Sequence, residues 1–143
     1  MKDILALENQ VCFPIYTLAK EVIKCYRPFL DELDITYPQY LVLMILWKEG
    51  EQSVSDLGEN LNLDSGTLTP LLKRLEQKQI VSRTRYKNDE RIVHITLTKK
   101  GNDLKLEAQK VPEKVYEVMN IPKEDLLHLK EIVEKIIKNI TQK

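Results

Sequence analysis

Apolar residues fall at helical spacing along most of this chain and alternate in one short stretch, and that contrast divides it into elements. The first predicted helix runs from about Pro14 to Phe29. Pro14 suits a first helical turn, where it either starts the helix or kinks one begun near Ile4, and Pro28 marks the end. The next helix opens at Thr36, because Thr36-x-x-Gln39 is a capping box and Pro38 is tolerated in a first turn. It carries Tyr40 to Trp47, apolar all round and so predicted to be buried. Gly50 breaks that pattern. Ser53 caps a short helix that turns Val54, Leu57 and Leu61 inward, and Asn62-Leu63 is a tight turn.

Asp64 or Ser65 caps the following helix, in which Leu68, Leu71, Leu72 and Leu75 form one stripe. Ser65, Thr67, Thr69, Lys73 and Arg74 lie off that stripe. Pro70 sits inside the helix, where it removes a hydrogen bond, and Gly66 four residues earlier relieves the clash. Ile80 to Tyr86 alternates as a strand, Lys87-Asn88-Asp89-Glu90 is the turn, and Arg91 to Leu97 returns as a second strand. Thr98 caps a long helix with Pro112 inside it, which predicts a kink. Pro122 opens a last helix whose apolar face holds Leu126, Leu129, Ile132, Val133, Ile136, Ile137 and Ile140. That face is wide for a terminal helix; it suits either a dimer interface or docking onto the chain's own core.

A helix with one oily face and one small, polar and basic face, followed by a hairpin with a charged tip, has the form of a winged helix-turn-helix. In that form a helix enters the DNA major groove and the hairpin reaches the neighbouring groove. The expected fold class is therefore mostly α with a small β-hairpin wing.

Charge sharpens this reading. The net charge is zero, which at first argues against nucleic acid. Residues 1–63 carry 5 basic and 10 acidic side chains, however, and residues 64–100 carry 9 basic and 4 acidic. The basic excess is confined to the predicted reader, and a local patch is what a phosphate backbone feels at a screening length of about 10 Å. A solvated charged surface is the plainer account of any such run. With 43% apolar and 31% charged residues the chain fits one globular domain. Its longest apolar run is too short to span a bilayer and its first residues lack a signal-peptide core, so a cytoplasmic protein with no membrane association is expected.

Cys12 and Cys25 lie about 20 Å apart if they share a helix, too far for a disulfide within the chain. Their spacing suits no zinc site, and His94 and His128 stand alone, so neither metal nor cofactor is expected. Among possible chemistries, the one well-placed group is the Cys12 thiol. A buried small hydrophobe is the commonest role of such a residue.

The order of helices and hairpin, with long helices at both ends, resembles the MarR family of dimeric winged-helix regulators. Leu63–Glu76 (LDSGTLTPLLKRLE) and Asp89-Glu90-Arg91 resemble its organic-hydroperoxide-sensing branch, the OhrR-type repressors. So do Asn9-Gln10-Val11-Cys12-Phe13, Leu30-Asp31-Glu32-Leu33 and Ile35-Thr36-Tyr37-Pro38-Gln39-Tyr40. The resemblance covers nearly the whole chain. It implies a single domain over residues 1–143, with dimerisation helices at about 1–35 and 100–143 and the winged-helix core at about 36–99. It implies that Ser65, Thr67, Thr69, Lys73 and Arg74 face the major groove and its phosphates. Arg91 would enter the minor groove from the wing with Asp89 orienting it. Cys12 would be the peroxidatic thiol, Tyr26 and Tyr37 its hydrogen-bond partners, and Tyr16 a near neighbour.

Spacing adds one constraint. Cys12 and Tyr26 are 14 residues apart and share a helix face, but lie about 21 Å apart along one helix. Tyr26 can meet Cys12 only on a partner chain whose first helix crosses antiparallel about a two-fold axis. The thiolate is the reactive form, and a helix N-terminus or hydrogen-bond donors favour it. An organic hydroperoxide would oxidise it to sulfenic acid. Some relatives carry a second, resolving cysteine in the C-terminal helices. This chain has none after Cys25, so it resembles the one-cysteine kind, in which a low-molecular-weight thiol caps the oxidised residue.

The expected function is thus a homodimeric transcriptional regulator, a repressor rather than an enzyme, that binds a pseudo-palindromic operator in double-stranded DNA and is released on oxidation of Cys12. The alternatives are a MarR-type repressor that senses a small aromatic ligand, and a global redox or virulence regulator with many sites. A thiol peroxidase lacks a suitably placed second cysteine, and a purely architectural DNA-binding protein would be indifferent to oxidant.

Overall fold

The computed structural model describes residues 3–142 apart from residue 87, and the side chains of those residues apart from 86, 89 and 90. After a short 3-10 turn at Leu7–Asn9 come α1 (Cys12–Asp31), α2 (Tyr37–Glu49), β1 (Gln52–Ser53), α3 (Val54–Leu61) and α4 (Ser65–Gln77). Then follow β2 (Val81–Tyr86), β3 (Asp89–Leu97), α5 (Lys99–Ala108), α6 (Val111–Met119) and α7 (Lys123–Thr141). The fold is mostly helical with a β-hairpin, as the residue pattern predicts, and a short third strand joins the hairpin.

Most helix starts follow from local hydrogen bonds. The Thr36 amide donates to Gln39 Oε1 at 3.0 Å and the Gln39 amide to Thr36 Oγ1 at 3.4 Å, which completes the capping box. The Asp56 amide donates to Ser53 Oγ, the Thr67 amide to Asp64 Oδ1 and the Gly101 amide to Thr98 Oγ1. Asp64, not Ser65, is therefore the cap of α4. Asn62 closes α3 in the left-handed region (φ 55°), as the tight turn there requires.

The prolines divide into those that break a helix and those that do not. Pro28 does not end α1, which runs on to Asp31. Leu30 is buried just beyond it, and the Ile35 amide closes onto the Leu30 carbonyl, so an apolar anchor holds one further turn. Pro70 likewise sits inside an unbroken α4. Pro112 does more than kink: it divides the predicted long helix in two. Its ring would clash with the carbonyl of Ala108, the residue at which α5 stops, and it then occupies the first turn of α6, where a missing N–H costs nothing.

The sheet has the order β1-β3-β2, all antiparallel. β1 escapes the sequence pattern because two residues are too few to alternate; it exists only through Gln52 opposite Ile95 and Ser53 opposite His94. β3 begins at Asp89, earlier than the predicted Arg91; Lys87 of the predicted turn lies outside the described residues. The pairing runs regularly from Val81 opposite Leu97 to Arg85 opposite Val93, then slips so that Tyr86 lies opposite Asp89. Glu90, Arg91 and Ile92 are thus extra residues on β3, a bulge at the wing tip.

The core of the first unit joins these elements. Leu30, Leu43, Leu46, Leu57, Leu68, Leu72, Leu75, Ile80 and Ile95 are all buried. Of the run in α2, Tyr40, Val42, Leu43 and Leu46 are buried but Met44 is exposed, so that helix is not covered all round. Trp47 Nε1 donates to the Gly101 carbonyl at 2.9 Å and pins α5 to α2. Gly101 has no room for a side chain: a Cβ there would lie 2.2 Å from the Ile80 carbonyl oxygen.

Residues 1–111 and 112–143 form two compact units. In the second, Lys123 Nζ lies 3.0 Å from Glu113 Oε1 and 5.6 Å from the centre of the Tyr116 ring, which ties the start of α7 to α6. No residue of α7 is buried.

Candidate functional site

Two groups of predicted residues occupy separate parts of the first unit. The first surrounds α4. On a 100° helical wheel Ser65, Thr69 and Lys73 fall on one flank of the leucine stripe, and Thr67 and Arg74 on the other. All but the half-buried Thr69 are exposed. Ser65 and Thr69 line an open groove of about 1130 Å³ between α3, the start of α4 and the wing, and Arg91 faces them from the bulged end of β3. A bulge re-aims a side chain relative to the regular pleat, and Arg91 occupies one.

Thr67 sits elsewhere. Both its amide and its hydroxyl serve Asp64, and these bonds hold the Asp64 carboxyl below its ordinary range. Its first contact is with the cap rather than the groove. The side chain of Asp89, predicted to orient Arg91, lies outside the described ones.

Arg83 is a lining residue that the sequence pattern does not mark. It lies opposite Ile95 in the sheet and lines the same groove. The basic excess of residues 64–100 points to it, but Arg83 and Arg85 share one strand face, and only the packing of the hairpin beside α3 and α4 sets Arg83 at the groove. Three carboxylates line it as well, Asp56 and Glu59 on α3 and Asp64 at the cap of α4. The helix N-terminal hydroxyls and the two arginines are groups of the kind that bind phosphate oxygens.

The second group lies on α1 and α2. Cys12 is the first residue of α1 and is exposed. Tyr16, one turn further along, is 63% exposed, with Lys20 Nζ 4.3 Å above its ring. Tyr26 and Tyr37 do meet: their ring centres lie 4.7 Å apart at a tilt of 54°. A third ring, Tyr40, joins them at 5.9 Å from Tyr26 and 6.3 Å from Tyr37. Tyr40 reads in the sequence as one more apolar core residue, and it is buried; its place beside two candidate site residues follows only from the packing of α1 on α2. Burial raises the pKa of the Tyr37 phenol, so it remains a hydrogen-bond donor at neutral pH.

Within one chain the thiol and the tyrosine cluster are kept apart. Both belong to one continuous helix of 20 residues, so Cys12 and Tyr26 are separated by about 21 Å. Cys25 is half-buried on the same helix. Among the described residues no cluster of His, Cys, Asp and Glu could hold a metal ion, and no helix is long and apolar enough to cross a membrane.

Comparison with known proteins places this geometry in context. Residues 24–108, more than half the chain, match the family of transcriptional regulators SarA/Rot. The chain is 45% identical over 141 residues to the organic hydroperoxide resistance transcriptional regulator of Bacillus subtilis, a match covering 99% of this chain and 96% of that protein. It is 41% identical over 131 residues to the regulator SarZ of Staphylococcus saprophyticus, covering 92% and 90%. Its fold is similar to that of reduced AbfR bound to DNA, with a TM-score of 0.78, 37% identity and 95% of each chain covered. AbfR is a protein of Staphylococcus epidermidis that is also known overoxidized on DNA and in a disulfide form.

Proposed function

The chain belongs to the MarR-type winged-helix transcriptional regulators, and from that premise we propose that it is a homodimeric repressor released from its operator when an organic hydroperoxide oxidises Cys12. The observation that carries the proposal is the separation on α1: an exposed thiol at one end and a cluster of tyrosines at the other. Two copies of this helix crossing antiparallel would bring each Cys12 to the Tyr26 and Tyr37 of its partner. Those hydroxyls would then stabilise the thiolate. Tyr16 would lie close by.

The chemistry balances in two steps. The Cys12 sulfur attacks the terminal peroxide oxygen, the S–O bond forms as the O–O bond breaks, and the alcohol leaves: Cys12-SH and ROOH give Cys12-SOH and ROH. A low-molecular-weight thiol then attacks the sulfenic sulfur, forms a mixed disulfide and releases water.

The apolar faces support the dimer. α1 exposes Phe13, Ile15, Leu18 and Ile23, and α7 exposes Leu129, Ile132, Val133, Ile136, Ile137 and Ile140. Residues 1–35 and 100–143 would supply the interface, and residues 36–99 the reader. Each reader would place Ser65, Thr67, Thr69, Lys73 and Arg74 against the major groove and its phosphates. Arg91, oriented by Asp89, would enter the minor groove. Such a pair demands half-sites about one helical turn apart, so a small change at the dimer interface misplaces both readers. A regulator of this kind acts in the cytoplasm, beside DNA and small thiols.

The test is binding to a duplex selected from a random library by the reduced protein, at fixed salt, before and after stoichiometric cumene hydroperoxide. The wild type is expected to lose affinity roughly 5- to 150-fold, and Cys12→Ser to lose none. Equal responses in the two proteins, or none in either, would overturn the proposal.

A further inference from the structure

The exit of α4 is held at three points by groups from distant parts of the chain. Lys78 caps the helix, its amide donating to the Arg74 carbonyl at 3.0 Å. Its ammonium reaches back across 44 residues and donates to the carbonyl of Asp34 at 2.5 Å, with the Asp34 carboxylate 3.6 Å away. Asp34 lies in the turn three residues beyond the end of α1 and sits in the left-handed region (φ 56°), and Leu30 and Ile35 on either side of it are buried. The carbonyl that receives Lys78 therefore belongs to a fixed turn, not a free loop. On the other side, Lys100 Nζ donates to the Lys78 carbonyl at 2.8 Å and Thr98 Oγ1 to the Gln79 carbonyl at 2.6 Å. The end of α1, the end of α4 and the start of α5 meet at residues 78–79.

We infer that Lys78 is a positioning residue that couples α1 to the recognition helix. This rests on the switch proposed above. α1 is an unbroken rod of about 30 Å with Cys12 at one end and the Asp34 turn beyond the other. A rod transmits a displacement at its thiol end to its exit. At that exit the Lys78 ammonium bond ties the turn that closes α1 to the end of α4, the helix that would face the major groove. The exposed carboxylate adds little, because it is screened by water; the bond to the carbonyl is the one that fixes position.

The experiment measures the ratio of oxidised to reduced dissociation constants on the same selected duplex for wild type, Lys78→Met and Lys78→Arg, with Cys12 oxidation followed by mass. Lys78→Met keeps the aliphatic stem and removes the donor. It is expected to lower the ratio by about two- to tenfold, the range that one hydrogen bond spans, while Cys12 oxidises at the wild-type rate. Lys78→Arg retains a donor and is expected to restore the ratio.

An unchanged ratio in Lys78→Met, with both states weakened alike, would make Lys78 a simple phosphate contact and overturn the inference. An equal fall in Lys78→Met and Lys78→Arg would make the position a matter of packing and overturn it too. A wild-type ratio of one would instead overturn the switch itself, and the coupling with it.

Discussion

α4 and α1 place their apolar residues in opposite ways. The four leucines of α4 are all buried within the chain that carries them, whereas α1 buries Leu30 alone and leaves Phe13, Ile15, Leu18 and Ile23 exposed. The same division holds for the candidate site residues. Ser65, Thr69 and Arg91 meet across one groove, while Cys12 and Tyr26 sit at opposite ends of a helix. One group of candidate residues is thus gathered within a single chain, and the other can be gathered only by a second copy, which is what the proposed division between reading and sensing requires.

The sharpest way to break that contrast is to charge the open face. Leu18→Glu is expected to convert a dimer to monomers in sedimentation while each monomer keeps its helical circular dichroism; a variant that stays dimeric would mean that α1 is not part of the interface. A smaller effect is expected inside the reader. Leu75→Ala leaves a cavity and should cost about 2–5 kcal/mol of unfolding free energy by denaturant titration, whatever the protein concentration. A loss confined to dilute solution would show that the reader, too, depends on a partner.

The smallest effect is expected at the cap of α4. Asp64 has a folded-state pKa below its ordinary value, chiefly through the Thr67 amide. The unfolded chain therefore takes up its proton first on acidification. The stabilisation is full above the ordinary carboxylate range and drains away as pH falls through the lowered value. Asp64→Ala should accordingly melt below wild type at neutral pH, and the two should converge in acid. A gap that is constant with pH would assign the effect to the alanine and not to the carboxylate.

The legible parts of the chain are those decided within a few residues. Thr36 with Gln39, Ser53, Asp64 and Thr98 all cap the helices that their spacing predicts, because a cap is a bond across three residues. The leucine stripe of α4 is read off in the same way. What the pattern misses depends on distant pairings. β1 is two residues that become a strand only against Ile95 and His94, and the bulge around Arg91 depends on how two strands fall out of register. Tyr40 looks like core until α1 brings Tyr26 beside it, and nothing near Lys78 announces Asp34. The prolines follow the same rule: Pro112 divides a helix that local pattern runs through, and Pro28 fails to end one because Leu30 finds a place in the core.

Trp47, pinned by its indole N–H to Gly101, is the chain's single tryptophan. Nature has thus given the molecule one fluorophore, set in the first unit between α2 and the start of α5. Its emission follows its own surroundings at α2 and the start of α5, and α7 holds neither tyrosine nor tryptophan. An optical melt at tryptophan wavelengths and a circular dichroism melt therefore watch different populations of residues in the same cuvette. A temperature interval between the two curves would show that helices away from Trp47 melt apart from its surroundings, without a label or a mutation.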